Sequence, residues 1–333
     1  MTPIHDAIPR LGPRPEGARM LAGSAHVWFD SVLQNGNAVP ASALAPGALE
    51  RLSAARPSLL GLTLDRPRIM GILNITPDSF SDGGEVATVA AAVARAQAMG
   101  PFADILDVGG ESTRPGAETV PEAEEVARVV PVISAIRAAG IATPISIDTR
   151  KSRVAEAALD AGADMLNDVS AMTFDPDMAP LVAEREVPVC LMHAQGDPKT
   201  MQTAPSYSEP AGDVAAYLRE AIMRAEAAGI PRVRIIADPG IGFGKTAAHN
   251  LSILARLSVY HELGVPLLLG ASRKRFIGTI GKAEKAKDRM PGSIAVALHG
   301  AAQGVHVIRV HDVAETWQAL RLWTVLNGDE CDA

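Results

Sequence analysis

The chain has 333 residues, of which 47% are apolar and only 4% aromatic, and its formal net charge at pH 7 is −7. This length suits one large α/β barrel with an aliphatic core plus an extension, while the absence of a basic stripe excludes a general nucleic-acid partner. Two cysteines exclude a disulfide scaffold, and no segment reads as a signal peptide or membrane span, so we expect a cytoplasmic protein with no membrane partner.

Residues 1–66 form the first predicted unit. They are rich in Pro, Gly and Ala, and their apolar stretches, such as 25–29, are short. We expect an N-terminal extension, loosely structured, with one small hairpin or strand docked on the main body; a separate functional module is the alternative. Residues 329–333 are expected to form a polar C-terminal tail.

Residues 67–328 alternate between apolar runs and Ala-rich segments with helical spacing. The predicted strands are 69–74, 103–108, 144–148, 164–167, 187–192, 233–238, 266–270 and 305–310. The predicted helices are 86–99, 122–139, 150–161, 213–228, 250–263, 293–303 and 313–326. Eight such units predict a (β/α)8 TIM barrel of the α/β class. An open doubly wound sheet is the competitor, but no dinucleotide fingerprint follows Asn74.

Polar residues follow each predicted strand at its carboxyl end, whereas Gly and Pro precede the strands. In a parallel barrel this asymmetry locates the active site at the carboxyl ends. The clusters are Asn74, GGESTRPG (109–116), Asp148-Thr149-Arg150-Lys151, Asn167-Asp168, Met192-His193, DPGIGFGK (238–245), Ser272-Arg273-Lys274 and Arg309-Val310-His311-Asp312.

Several interpretations of these clusters are possible. The stretch 240–246, GIGFGKT, has one residue too few for a phosphate loop and follows Pro239, so we expect a flexible loop with Phe243 as an apolar wall. Zinc ligands are not clustered, but Asn74 could hold Mg²⁺ with help from a substrate phosphate. Lys274 could form a Schiff base or donate hydrogen bonds, and Asp148 and Asp238 could be helix caps.

Taken together, the motifs resemble those of the bacterial dihydropteroate synthases, from MGILNITPDSFSDGG (70–84) to GVHVIRVHDV (304–313). The resemblance covers about residues 67–326 and leaves the extension out. It implies an alkyl/aryl transferase that condenses (7,8-dihydropterin-6-yl)methyl diphosphate with p-aminobenzoate and releases diphosphate.

The resemblance also implies roles for residues. Catalytic roles fall to Asp148, Arg309 and Lys274. The pterin would be bound by Asp148, Asn167, Met192, Asp238, Lys274 and Arg309. The diphosphate would be bound by Asn74, Arg114, Arg309 and His311, with Asn74 as the ligand of the Mg²⁺ cofactor. The p-aminobenzoate would be bound by Phe80, Thr113, Pro115, Phe243 and Ser272.

We further expect the loops after the first two barrel strands to close once the diphosphate binds. The small-molecule substrates are the expected ligands, and the family's usual homodimer is the expected assembly. A methyltetrahydrofolate-dependent methyltransferase of the same barrel family and a non-catalytic pterin-binding paralogue are the alternatives.

Overall fold

A computed structural model describes residues 5–34, 36–75, 85–112, 117–196 and 200–328. The extension contains strands β1 (Asp6–Ala7), β2 (Arg19–Met20), β3 (Trp28–Phe29), β4 (Ser31–Gln34) and β5 (Asn37–Pro40) and helix α1 (Pro46–Ser53). The barrel strands are β6 (Arg68–Asn74), β7 (Ile105–Gly109), β8 (Ile145–Asp148), β9 (Met165–Asp168), β10 (Val189–Met192), β11 (Ile235–Asp238), β12 (Leu268–Leu269) and β13 (Val307–Val310).

The helices that follow these strands lie on the outside of the sheet. They are α2 (Glu85–Met99), α3 (Glu122–Ala138), α4 (Ser152–Asp160), α5 (Met178–Arg185), α6 (Pro210–Ala227), α7 (Ala247–Leu254), α8 (Arg275–Gly281), α9 (Met290–Ala302) and α10 (Val313–Leu326). A 3₁₀ segment, Leu257–Leu263, follows α7. None of the helices in the described part of the chain is long and apolar enough to cross a membrane.

All eight barrel strands are parallel and pair in the order β11-β10-β9-β8-β7-β6-β13-β12. A parallel bridge between Ala237 and Leu267 joins the two ends of the sheet, which closes the barrel. The predicted (β/α)8 architecture is therefore confirmed, with all eight strands at the expected places.

Successive side chains of a β-strand point to opposite faces, so each barrel strand contributes residues to two separate cores. The residues facing the helices join the larger core, which includes Leu73, Leu106 and Ile147. The residues facing the barrel axis form a smaller layer at the amino ends of the strands: Met70, Ile105, Met165, Cys190, Ile236, Leu268 and Val307. The side chains two residues further along each strand also point inward, and they lie nearer the carboxyl end of the barrel.

The extension is more ordered than the sequence predicts. Its β1, β4 and β5 form an antiparallel sheet, and β2 pairs with β3. A third buried cluster gathers Ala7, Leu21, Val27, Phe29, Val32, Ala41 and Leu52, with Trp323 of α10 packed against it. The apolar residues are too far apart in sequence to show a period, but the sheet brings them together. Leu59 and Leu64 close the amino end of the barrel by packing on its inner layer.

Buried polar contacts fix the extension to the barrel. Asp6 accepts hydrogen bonds from Arg256 Nε at 2.8 Å and Ser258 Oγ at 2.7 Å. His5 Nδ1 lies 2.6 Å from Glu262 Oε1, and Arg56 Nη2 donates to the His261 carbonyl at 3.0 Å. All seven residues of the 3₁₀ segment are consequently buried.

Candidate active site

Three predicted site residues lie in one register row across neighbouring strands. Asn74 is opposite Gly109, Gly109 is opposite Asp148, and Asp148 is opposite Asn167. A Cβ placed on Gly109 would lie 3.4 Å from the Asp148 Cβ and 3.8 Å from Asn74 Oδ1. A single methyl group at this position would therefore be in ordinary contact with both neighbours.

Arg309 of β13 crosses the barrel mouth and joins this row. Its Nη2 donates to Asp148 Oδ2 at 2.6 Å and its Nε donates to Asp107 Oδ2 at 2.5 Å. Asn167 Nδ2 lies 3.4 Å from the same Asp107 oxygen. Burial raises the pKa of Asp148 to about 7, although the Arg309 charge acts in the opposite direction. The guanidinium thus holds two buried carboxylates in place.

Asp238 and Lys274 approach the same region from the other side. The Gly240 amide donates to Asp238 Oδ1 at 2.7 Å, and burial raises the pKa of this carboxyl group. Lys274 Nζ donates to the Ile241 carbonyl and lies 4.2 Å from the centre of the Phe243 ring. Burial lowers the pKa of Lys274 to about 7, with Asp238 opposing the shift.

The loop 239–246 is held by Lys245 and by close backbone contacts. Lys245 Nζ donates to the carbonyls of Gly240 at 2.8 Å and Phe243 at 3.1 Å and lies 2.8 Å from His193 Nδ1. A Cβ on Gly240, whose φ is +65°, would lie 1.8 Å from the His193 carbonyl oxygen. The glycines of the loop therefore allow a close contact with the loop after β10, and Lys245 stabilises this contact.

A buried ion-pair cluster lies beside Asp148; we name it the Lys151 cluster. Lys151 Nζ contacts Glu111 Oε2 at 2.7 Å and Glu125 Oε2 at 2.5 Å, and Arg150 Nε contacts Glu111 Oε1 at 3.0 Å. The Val120 amide also donates to Glu111 Oε2 at 2.8 Å. The cluster ties the loop after β7 to the carboxyl end of β8.

Ser272, His311 and Met192 occupy the remaining strand ends. Ser272 Oγ lies 3.1 Å from His311 Nδ1 and accepts from the His311 amide at 3.2 Å. Met192 is 3% exposed and is aligned with Asp238 across β10 and β11. Arg273 forms an ion pair with Asp312 through two of its guanidinium nitrogens.

Four of the predicted residues, Phe80, Thr113, Arg114 and Pro115, lie outside the described part of the chain, as do most of the two loops expected to close. The others meet at the carboxyl mouth of the barrel. Asp107 also belongs to the site but is not among the predicted residues, because it lies inside the apolar run 105–108 and not after it. The signal was present, since Asp107 is the one charged residue of that run and falls on the inward face. Lys245 and Lys151 lie in the predicted clusters, but their sequence context does not indicate the contacts that they make.

The chain is similar to known proteins. The family model for pterin binding enzymes matches residues 70–311. The chain is 48% identical over 265 residues to the dihydropteroate synthase of Escherichia coli (strain K12), a match covering 78% of this chain and 92% of the relative.

Two solved structures extend the likeness to three dimensions. The Xanthomonas albilineans dihydropteroate synthase with 4-aminobenzoic acid is 49% identical, with a TM-score of 0.76 over 81% of this chain and 96% of that one. The same enzyme in complex with 7,8-dihydropteroate gives a TM-score of 0.73 at 46% identity, covering 81% and 97%. The chain therefore belongs to the dihydropteroate synthase family of pterin-binding enzymes.

Proposed function

We propose that this chain condenses (7,8-dihydropterin-6-yl)methyl diphosphate with p-aminobenzoate to give 7,8-dihydropteroate and diphosphate. The observation that carries the proposal is the meeting of Asp148, Asn167, Asp238, Lys274 and Arg309 at one barrel mouth. The ligands named for the similar solved structures, 4-aminobenzoic acid and 7,8-dihydropteroate, support the same substrates.

The pterin would lie between Asp238 and Arg309. Asp238 Oδ1 is held by the Gly240 amide, and Oδ2 faces Gly270, which has no side chain. A carboxylate oxygen in such a place can accept hydrogen bonds from the amidine-like edge of the ring. Asn167 and Lys274 would bind other polar atoms of the ring, Met192 would supply apolar contact, and the planar Arg309 group would pack against its face.

Asp148 would stabilise positive charge as the bond to diphosphate breaks. The C–O bond breaks first, the electron pair leaves with the diphosphate, and the pterin methylene carbon becomes cationic. A buried carboxylate with a raised pKa gains more than an exposed one from a neighbouring cation. The amine of p-aminobenzoate then attacks this carbon and loses a proton. The nucleophile is neutral, so it needs placement more than activation.

The departing diphosphate needs local cations because the protein as a whole is acidic. Asn74, Arg114, Arg309 and His311 are the proposed ligands. No group of three or more His, Cys, Asp or Glu side chains in the described ranges could hold a metal ion alone. The amide oxygen of Asn74 is a hard donor that suits Mg²⁺, which takes most of its ligands from phosphate and water. When bound, Mg²⁺ would neutralise charge on the leaving group.

The p-aminobenzoate would be held by Phe243 and Ser272 together with Phe80, Thr113 and Pro115. Ordered binding, with the benzoate following the diphosphate, remains part of the proposal. A cytoplasmic location and a homodimer are likewise proposed. The exposed apolar residues Trp317, Leu322 and Leu326 of α10 support a partner subunit, whereas Leu320 and Trp323 pack within the chain.

The proposal is tested by mixing the purified protein with the pterin diphosphate, Mg²⁺ and p-aminobenzoate and measuring both products. We expect Asp238→Ala and Arg309→Ala each to lower kcat/KM by roughly 10²-fold or more, about 2.7 kcal/mol. Asp160→Ala, which removes an exposed carboxylate of α4, should leave activity unchanged. Pterin binding without diphosphate release would instead favour a non-catalytic paralogue, and methyl transfer would favour the methyltransferase.

A further inference from the structure

Lysine is distributed unusually in this chain. The sequence contains seven lysines against 24 arginines. Among the described lysines, Lys151 and Lys245 are buried in the contacts given above, and Lys274 lies in the site. The three exposed ones are Lys282, Lys285 and Lys287, within six residues of one another. Surface cations elsewhere in the described chain are arginines.

The segment that holds these three lysines, residues 282–289, is fixed beside Arg273, the residue that precedes Lys274 of the active site. It follows α8, which begins directly after Lys274 and is seven residues long, or about 10 Å. The chain then returns, because Arg289 Nη1 donates to the carbonyl of Arg273 at 3.0 Å. The chain therefore leaves the site at Lys274 and returns at Arg289 to the backbone of Arg273, the neighbouring residue.

Close packing keeps the segment in this position. Arg289 Nε donates to the Ala283 carbonyl at 2.9 Å, and Arg289 Nη2 donates to that of Glu284. A Cβ on Gly278 would lie 2.4 Å from Arg289 Nε, so only glycine lets the arginine pass over α8. The lysines are thus on an ordered support although their side chains are exposed.

The charge of this region opposes that of the molecule. Residues 273–289 contain seven Lys or Arg and two Asp or Glu, whereas the whole chain has a net charge of −7. An acidic protein repels polyanions at long range, and a local cationic rim offsets that repulsion where the substrate must enter. Lysine suits this role because its compact, strongly hydrated charge acts at a distance without forming rigid paired contacts.

We propose that the lysine-rich segment 282–289 is an electrostatic element that concentrates the polyanionic pterin diphosphate at the barrel mouth. This inference rests on the proposed function, which supplies the anionic substrate. It assigns no contact between these lysines and bound substrate. Their effect is therefore on capture and affinity, while Asp148 and Arg309 act on the chemical step.

The test removes the three charges together in K282Q/K285Q/K287Q. At an ionic strength of about 20 mM, we expect the KM for the pterin diphosphate to rise roughly 3- to 10-fold with kcat unchanged. The effect should largely vanish at about 0.5 M salt, since screening then shortens the field to a few ångströms. The KM for p-aminobenzoate, which has a single charge, should change less.

Two further variants serve as controls. K282R/K285R/K287R keeps the charges and should behave as the native protein. R14Q/R19Q/R66Q removes three exposed charges from the extension and from the chain just before β6, at the opposite end of the barrel, and should leave the KM unchanged. If K282Q/K285Q/K287Q and R14Q/R19Q/R66Q raise the KM for the pterin diphosphate equally, only net charge matters and the inference is overturned.

A binding measurement separates this inference from the proposed function. Calorimetric titration with inorganic pyrophosphate and Mg²⁺ needs no turnover. Weaker, salt-sensitive binding by K282Q/K285Q/K287Q supports the inference even if dihydropteroate is not formed. An unchanged affinity and unchanged salt dependence contradict it, and would leave the lysines available for docking an acidic protein.

Discussion

Gly270 separates the two groups proposed to hold the pterin. A Cβ at this position would lie 3.6 Å from Asp238 Oδ2 and 3.9 Å from Arg309 Cδ, which are ordinary contact distances. An alanine therefore fits without strain, whereas a larger side chain would occupy the space between the carboxylate and the guanidinium stem. The residue is informative because its substitution blocks the site without removing any polar group.

We expect Gly270→Val to weaken binding of the pterin diphosphate roughly 10-fold or more, because its extra methyl groups overfill the site. Calorimetric titration measures the affinity. Gly270→Ala is the matched control and should retain most of it, with a melting temperature close to that of the native protein. A valine variant that binds as the native protein does would show that the ring lies elsewhere.

At the scale of elements, the Lys151 cluster joins the loop after β7 to β8 and to α3. The Lys151 side chain is 4% exposed, and its two carboxylate partners are 5% and 0% exposed. Burial raises the pKa of Glu125, whose side chain is the less exposed of the two carboxylates. Removing the ammonium would leave the buried Glu125 carboxylate without its cation, while Glu111 would keep only Arg150.

Lys151→Met should therefore destabilise the fold by about 3–5 kcal/mol, the usual cost of breaking a buried ion pair from one side. Urea unfolding at pH 7 measures this. Arg153→Met, two residues further on, removes a cation that is 82% exposed and should change stability by less than about 0.5 kcal/mol. Similar effects of the two changes would mean that the cluster contributes little.

The barrel could be predicted element by element because its strands are buried on both faces and appear as continuous apolar runs. Membership of the dihydropteroate synthase family confirms the predicted fold, enzyme class and reaction. Helices α5 and α8 fall outside the predicted helical segments. The first is eight residues long with an internal proline, and the second contains two glycines, so neither shows a clear period.

The site was predictable only where polar residues follow an apolar run. Asn74, Asp148 and Asp238 end their strands, Asn167 lies one residue before the end of β9, and all four stand out for that reason. Asp107 lies one inward position below the mouth, and its contact with Arg309 joins residues 202 apart in sequence. Nothing local in the sequence encodes such a pair, and the same holds for the contacts of Asp6 with Arg256 and Ser258.

At the scale of the whole molecule, the junction between extension and barrel contains four of the eight histidines: His5, His26, His261 and His306. The rings of His261 and His306 are 5.5 Å apart. Burial, with the nearby Arg56 charge, lowers the pKa of His261 to about 3, and that of His306 is also well below its usual value. Both rings are neutral in the folded protein.

This junction should make the protein sensitive to acid. A histidine with a lowered pKa takes up its proton only on unfolding, so its contribution to stability is complete above about pH 6.5 and is lost as the pH falls towards 3. Each such histidine contributes a slope of up to about 1.4 kcal/mol per pH unit. The buried acids Asp148 and Asp238, with raised pKa values, act in the opposite direction.

The measurement therefore compares variants by urea unfolding at several pH values between about 7.5 and 5. His261→Gln can still donate to the Gln303 carbonyl, which His261 Nε2 contacts at 2.9 Å, but cannot titrate. We expect its stability to fall less steeply with acid than that of the native chain. Parallel curves would contradict the assignment of the acid response to this histidine.

The uneven distribution of lysine has a practical consequence. Reagents that couple proteins to a sensor surface through primary amines would attach this one at Lys282, Lys285 and Lys287 before any other lysine in the described ranges. The molecule would then sit with its substrate entrance against the support, and binding measured in that geometry would be too weak. Attachment through a tag on the extension, beyond the sealed amino end of the barrel, would leave the entrance facing solution.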